Sequence, residues 1–472
     1  MRLTVREIVE ATGGKLLQGD PEVVITGVST DSRTIRRGEL FVPLRGPRTD
    51  GHHFIGDALR RGAIATLTAK EGVEGVPNGS AVIAVEDPLR ALGAIARAYR
   101  ERVSLTVVGV TGSVGKTTTV KMAREVLGTR FRVASTREEW NAEIGIPLAI
   151  LGLDEKTEVA VLEMAMRGLG QIRELVEIAR PKIGVVTNIG ESHLGLLGSR
   201  ENIARAKGEL LEGLPPEGIA ILNADDDFTP FLQTLHRGEV VTFGFGPEAM
   251  VRASEVVRAG EKTRFLLQTG KGSVPVEIRA LGVHNVSNAL AAAAVGLSLG
   301  LTLEEIREGL ERFTPAKMRL LPVALPQGVL LLDDTYNASP TSTRAALAVL
   351  KDLGKGRRKV AVLGEMLELG ESAEEAHRQI GQEVARHGVE VLIAVGELGR
   401  FIAAGAQAVG LERVRTVLTC EEALSALLEE LRPLDVVLVK ASRAVGLERV
   451  VEGLRKRLWE VQGENFLKQA PS

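Results

Sequence analysis

The sequence predicts an α/β protein of three domains, two of them built on parallel sheets. Three observations carry this: the length, two long stretches in which short buried-strand runs alternate with amphipathic helices, and a different texture before them. The chain has 472 residues, too many for one core and near three domains at about 150 residues each. Hydrophobic residues make up 44% and charged residues 25%, ample core material for an ordinary globular protein. Only 3% are aromatic, so aliphatic side chains must supply most of the burial.

Residues 1–84 consist of short apolar runs broken by turns, VVITGVSTDSR, GELFVPLRG, AIATLTA and SAVIAVED, which read as a small mixed N-terminal domain. Leu89, Leu92, Ile95, Ala96 and Tyr99 then share one face of a helix expected over Pro88–Arg102. From Leu105 the rhythm changes. LTVVGV, EVAVLEM, KIGVVTNIG and GIAILNAD are short β-rich runs, each followed by polar or glycine residues and a helical pattern. Residues 85–313 therefore read as a central domain on a parallel sheet covered on both faces. Val240–Leu281 lacks helical periodicity and is expected as a β-meander appended to that sheet, before an Ala-rich helix at Asn285–Leu299. A proline near Phe313 breaks the pattern, and the alternation resumes in GVLLLDDTYN, RKVAVLGEM, VEVLIAVGE and DVVLVKASR. Residues 314–472 are expected as a Rossmann-like C-terminal α/β domain, frayed after Trp459.

Several classes are disfavoured. A net charge of −2 does not suit a protein that neutralises a nucleic-acid backbone. Arg2, Arg6 and Glu7 occupy the N-terminus with no apolar segment of a signal peptide after them, and no apolar run approaches the roughly 18–20 residues of a membrane span. One cysteine, Cys420, excludes an internal disulfide and a zinc site of several thiolates. A cytoplasmic protein, acting as a monomer, is expected.

The strongest chemical signal is LTVVGVTGSVGKTTTVKMAREVL, a strand, a glycine loop and an amphipathic helix in order. The loop Thr111–Thr118 includes Ser113; its Gly112 and Gly115 let the backbone wrap around phosphates, whose charge the exposed N–H groups and the helix N-terminus favour. Lys116 can reach β- and γ-phosphates, and the Thr117 hydroxyl can ligate Mg²⁺. Neither glycine pair keeps the GxxxxGK[ST] spacing: Gly112 and Gly115 stand closer, Gly109 and Gly115 one residue further apart. The central domain is thus expected to be a P-loop ATPase domain. Other polar residues fall just after strands, where open α/β sheets bind ligands. Glu163 ends VAVLEM, where a carboxylate could hold a hard cation or merely meet solvent. Asn188, Glu191 and His193 follow IGVVTN, and Lys207 lies on the RAKGEL helix, where a lysine is ordinarily at the surface. Asn285 and Asn288, one helical turn apart, share a face suited to a purine edge, although Asn285 serves equally well as a helix cap. Asp333, Asp334, Tyr336 and Asn337 end the next strand, with Arg319 before it and Lys440, Ser442 and Arg443 at another.

Together, TGSVGKTT, NAEIGIP at Asn141–Pro147, the strand end LEM, TNIGESHL with RAKGEL, HNVSNALAAA, and DDTYNASPTS with VLGEMLELGE resemble the Mur ligase family, the ATP-dependent amide-forming enzymes of peptidoglycan synthesis, over nearly the whole chain. TDSR and LFVPLRGPRTDGHHF look like the family's uridine-nucleotide domain. DDTYNASP resembles the branch that adds D-alanyl-D-alanine to UDP-N-acetylmuramoyl-tripeptide. Diaminopimelate or lysine adders usually read D-Y-A-H-T-P-D here and folylpolyglutamate synthases D-G-A-H-N-P, and the D-N-P-R motif of diaminopimelate adders is absent. AKMRL departs from the pattern where many relatives have a Gly before the Arg, which bears on the backbone at Lys317.

The resemblance implies that Lys116 and the loop hold the γ-phosphate, that Thr117 and Glu163 hold one Mg²⁺, and that His193 and a carbamylated Lys207 hold a second. It implies that Asn285 and Asn288 face adenine, while Arg319 and Asp334 reach the nucleotide from a C-terminal domain that closes on ATP and binds the amine. It places Thr30, Asp31, Ser32, Arg33, Arg45 and Gly46 at the uridine end, with Asn141, Tyr336 and Asn337 toward the substrates. Against this amide ligase stand a family member with another amino-acid or polyglutamate substrate, and a P-loop NTPase that ligates nothing.

Overall fold

The computed structural model describes residues 1–69 and 76–468. Its first helix, Val5–Thr12, is one that the apolar runs did not announce; it starts from a capping box in which the Thr4 hydroxyl accepts from Glu7 N–H and the Glu7 carboxylate accepts from Thr4 N–H. A five-stranded sheet follows, ordered Lys15–Gln18, Ala81–Ala84, Ala65–Thr68, Glu39–Phe41, Gly27–Ser29, and parallel except for its first strand.

The expected helix runs over Pro88–Arg100, with Pro88 in its first turn and the Asp87 carboxylate accepting from Leu89 N–H at 2.7 Å. Its buried face packs into one core with Leu3, Val5 and Ile8 on one side and Ile146, Ile150 and Ile172 on the other. This helix ties the N-terminal sheet to the central one.

The central sheet has nine strands, in the order Gly272–Ile278, Lys262–Thr269, Val251–Ala259, Glu239–Gly244, Ile219–Asn223, Ile183–Val186, Thr106–Thr111, Val159–Glu163, Val133–Ser135. Its interior is parallel, as the continuous apolar runs require, and separate apolar clusters cover its two faces. The β-meander is shorter than expected. Glu239–Gly244 is a parallel strand of the main sheet, and the antiparallel part is confined to 251–278. The Ala-rich helix spans Val283–Ser298 and is capped by Gly282, not by Asn285.

The last sheet has six strands, Leu321–Ala324, Leu330–Asp334, Val436–Lys440, Lys359–Leu363, Val391–Val395 and Val414–Val417, parallel except for the first. The two outer strands were not anticipated, being too short and polar to show a buried run. Nor does helix end at Trp459: it continues over Glu448–Lys468, since no proline interrupts it before Pro471. Among the described residues no helix is long and apolar enough to cross a membrane.

The helices Lys116–Leu127 and Leu303–Arg312 touch backbone to backbone at Gly309, where an added Cβ would lie 2.3 Å from Val126 Cα. Gly309→Ala gains helix propensity of up to about 1 kcal/mol but forces the helices apart, at roughly 1–3 kcal/mol of overpacking. Urea denaturation is expected to show a lower midpoint with an unchanged m-value. A higher midpoint would contradict the close approach.

Candidate active site

The strand Thr106–Thr111 lies between Val159–Glu163 and Ile183–Val186, where the strand order reverses, so its carboxyl end opens into a topological switch point. The loop that follows has positive φ at Gly112 and Gly115, 144° and 87°. A Cβ would lie 1.9 Å from Thr187 Oγ1 at the first and 2.3 Å from Asn288 Oδ1 at the second, so both positions require glycine. The segment after Val186 grips the loop. Ser113 N–H donates to Asn188 O at 2.9 Å, Val114 N–H to Asn188 Oδ1 at 3.0 Å, and Asn188 Nδ2 back to Val114 O at 2.9 Å. Gly190 N–H donates to Ser113 Oγ and Ser192 Oγ to Ser113 O. Lys116 opens the helix Lys116–Leu127, whose first N–H groups have no acceptor within the helix, and its Nζ donates to Gly112 O at 2.8 Å.

Beside the loop three segments converge on Thr117. Its hydroxyl donates to Glu163 Oε2 at 2.7 Å and accepts from Arg319 Nη2 at 2.9 Å, while Asn141 Nδ2 donates to Glu163 Oε1 at 2.9 Å. The Arg319 guanidinium stacks on Tyr336, 3.9 Å from the ring centroid. Lys317 takes no positive φ; Met318, the residue directly before the Arg, has φ 62°, and Leu320 has φ 52°. Left-handed backbone costs about 1–2 kcal/mol in such residues. Two hydrogen bonds hold it: Tyr336 N–H donates to Met318 O at 3.1 Å and Leu320 N–H to Asp334 Oδ1 at 3.0 Å. The strain aims Arg319 across the cleft.

Positive groups dominate the loop end of the site. Burial, and then the charge of Arg319, hold Lys116 below its ordinary value against the pull of Glu163. Lys207 is no surface lysine; it is 1% exposed on the helix Arg200–Glu212, and burial followed by repulsion from Lys116 puts its amine well below the usual lysine range. Burial also lowers His193, whose charge would meet those of Lys207 and Lys116. His193 sits at φ 63° and its Nδ1 lies 2.5 Å from Glu368 Oε2.

A cleft of ≈ 710 Å³ joins these groups, lined also by Ser113, Gly115, Thr118, Asn285, Asn288, Asp334 and Asn337. Asn288 Nδ2 donates to Asn285 Oδ1 at 3.1 Å and its Oδ1 accepts from Thr119, so the two amides form one buried unit behind the loop. Asp334 and the Asn337 carbonyl both accept from the buried Lys440 at 2.7 Å, a pairing that sequence did not suggest. Thr111, Gly112 and Lys207 support the cleft without lining it. The candidate uridine residues lie in the turns that follow the strands Gly27–Ser29 and Glu39–Phe41 of the N-terminal sheet, away from the cleft lining. Arg33 pairs with Asp31, holding that carboxyl down at about 2, and Arg45 stands 3.5 Å from Asp50, next to Gly46. Thr30 and Ser32 flank Asp31 in the same turn.

The sequence reading missed His284, Gln171, Thr341 and Glu368, the first three in the cleft lining. HNVSNALAAA contains the first of them, next to the amide of Asn285. Burial, and then Lys440, push His284 down to about 4, and its Nε2 accepts from Asn285 Nδ2 at 3.2 Å. The unfolded imidazole takes a proton at about 6.5 while the folded one does not, so stability falls as pH drops from ~6.5 toward the folded value. Urea midpoints are expected to fall more steeply over this window for the wild type than for His284→Gln. Parallel curves would mean that His284 titrates ordinarily.

Three family models cover most of the chain: Mur ligase family, catalytic domain, over 24–100; Mur ligase middle domain, over 110–296; and Mur ligase, glutamate ligase domain, over 318–443. The UDP-N-acetylmuramoyl-tripeptide–D-alanyl-D-alanine ligase of Bacillus subtilis is 39% identical over 96% of this chain and 98% of its own length. A crystal structure of MurF from Acinetobacter baumannii superposes with TM-score 0.88 at 32% identity, covering 97% of this chain and 99% of that one. MurF ligase from Thermotoga maritima in complex with ADP superposes with TM-score 0.82 at 30% identity, over 92% and 98%. With phosphate loop, cleft and full-length likeness in agreement, the chain belongs to the Mur ligase family.

Proposed function

We infer that this chain is an ATP-dependent ligase that joins D-alanyl-D-alanine to UDP-N-acetylmuramoyl-tripeptide in peptidoglycan precursor synthesis, a cytoplasmic reaction carried out by a monomer. The observation that carries the reading is the meeting of the phosphate loop with DDTYNASP and Arg319 across one cleft, in a chain with full-length likeness to ligases of this name. A carboxylate is a poor acyl donor. Transfer of the γ-phosphoryl group of ATP to the tripeptide's terminal carboxylate gives an acyl phosphate and ADP. The free amine of D-alanyl-D-alanine then attacks the carbonyl, and phosphate leaves as the amide forms and the amine gives up its proton.

Phosphoryl transfer is chiefly positioning and charge stabilisation. Lys116 and the clamped loop serve the γ-phosphate, Arg319 answers its charge from the other wall, and Asn285 with Asn288 offer amides to the base. The turns at Thr30–Arg33 and Arg45–Gly46 receive the uridine nucleotide, with Tyr336, Asn337 and Asn141 nearer the reacting ends. An alcohol and a carboxylate meeting at Thr117 and Glu163 fit a hard divalent cation. Mg²⁺ held there would neutralise phosphate charge and orient the γ-phosphoryl group. Among the described residues no three His, Cys, Asp or Glu side chains gather into a metal site, so a second ion beside His193 needs another oxygen donor.

Lys207 supplies it as a carbamate. Its amine, kept neutral by burial and Lys116, adds to CO₂; a C–N bond forms, a proton is released, and two oxygens with one negative charge result. An ammonium at ~4 Å from a divalent ion would instead cost about 8 kcal/mol at an effective dielectric near 20.

Two measurements test the reading. In competition with purified enzyme, D-alanyl-D-alanine is expected to be consumed in preference to lysine or diaminopimelate; the reverse order would point to another branch of the family. Lys207→Ala is expected to lose ~10²-fold or more in ligation rate, with part of it restored by formate occupying the vacated space. Full activity in that variant would dismiss the carbamate.

A further inference from the structure

One carboxylate of the C-terminal domain reaches into the central domain. Glu368 Oε2 lies 2.5 Å from His193 Nδ1, its Oε1 stands 3.8 Å from Arg167 Nε, and its backbone carbonyl accepts from Gly195 N–H at 2.9 Å. These contacts fasten the loop after Lys359–Leu363 onto residues 193–195. The approach is close by construction. A Cβ on Gly195 would fall 2.4 Å from Gly370 N, and Glu368 and Gly370 both take positive φ, 62° and 57°, to bring the loop there.

An ionised carboxylate only accepts hydrogen bonds. The neutral ring of His193 must therefore carry its proton on Nδ1, which leaves the lone pair on Nε2. A histidine that binds metal needs its tautomer and ring orientation fixed in this way by an outer partner. We propose that Glu368 is the positioning residue of His193, holding Nδ1–H so that Nε2 serves a divalent cation at the phosphate end of the cleft, and that docking of the C-terminal domain thereby completes that site. This rests on the reading of His193 as a metal ligand. It gives the C-terminal domain a second task beyond delivering Arg319: nucleotide chemistry waits on docking because a ligand of the central domain is not set until then.

The test compares Glu368→Gln, Glu368→Asp and His193→Ala with the wild type by two readouts that do not depend on turnover. In enzyme labelled with ¹⁵N-histidine and free of metal, the His193 ring, identified by its loss in His193→Ala, is expected as the Nδ1–H tautomer. Glu368→Gln should give a mixture, since its amide can donate or accept, and Glu368→Asp should keep the wild-type tautomer in larger share. Mn²⁺ titrated in the presence of β,γ-imido-ATP, with the free ion followed by electron paramagnetic resonance, should bind the weaker of its sites on the order of 10–100-fold less tightly in Glu368→Gln. If His193→Ala leaves Mn²⁺ binding unchanged, His193 is no ligand and the proposal falls with that reading. If His193→Ala weakens binding while Glu368→Gln keeps both wild-type affinity and tautomer, the proposal alone is overturned.

Discussion

The phosphate loop works only because another segment takes up its outward-facing hydrogen bonds. A glycine turn left to itself samples many conformations, and its N–H groups turn to whatever acceptor is near. Here Asn188 occupies Ser113 and Val114, Ser192 and Gly190 occupy Ser113 again, and Thr187 leaves no room for a Cβ at Gly112. The helix N-terminus beyond Gly115 is what remains free to meet an anion. The clamp is possible because Thr106–Thr111 and Ile183–Val186 are neighbouring parallel strands in register, Thr111 opposite Val186, so that their carboxyl ends emerge side by side. Everything else in the cleft is placed relative to that pair.

Much of this was legible in the sequence because parallel strands buried on both faces write themselves as unbroken apolar runs. LTVVGV, EVAVLEM, IGVVTN and the four runs of the last third all became strands, and the residues at the ends of LTVVGV, EVAVLEM, IGVVTN, GVLLLDDTYN and DVVLVKASR came together in the cleft. The elements that escaped are those whose stability comes from elsewhere. Val414–Val417 is a half-exposed edge strand held by its neighbour, and Val5–Thr12 depends on a capping box between Thr4 and Glu7, the second of which looked like a terminal charge. Glu239–Gly244 was mistaken for meander because pairing direction is not encoded in a six-residue run; the helix preceding it decides.

The site was legible as a list of residues, and less so as a set of contacts. Asp334 was assigned to the nucleotide, yet its two oxygens serve Lys440 and the backbone N–H of Leu320. That arrangement holds the strained turn at Met318 and so governs Arg319. Lys207 looked like a surface lysine because the helical pattern of RAKGEL is polar, and burial of its amine depends on where the helix docks. Glu368 could have been suspected from the acidic residues of VLGEMLELGE, but its partner lies 175 positions away, and nothing local announces such a pairing.

The electrostatics explain why both large domains must contribute. Burial lowers the proton affinity of Lys116, Lys207 and His193; beyond it, Lys116 lowers Lys207, both lysines lower His193, Arg319 adds to the burden on Lys116, and Glu163 is the anion acting on Lys116 from the same wall. The positive charges of Lys116 and Arg319 at low solvent exposure are unfavourable in themselves and favour any ligand that brings several negative charges at once. A triphosphate does, and so does the transferring phosphoryl group, whose charge spreads over three oxygens as it leaves. Arginine suits the far wall better than lysine would. Its planar group can stack on Tyr336 and still direct an N–H at Thr117, so the C-terminal domain delivers a cation already fixed in orientation. The left-handed turn at Met318 is the cost of that orientation, and the Asp334–Leu320 and Tyr336–Met318 hydrogen bonds show where it is offset: in the strand end that also carries Asn337 to the cleft.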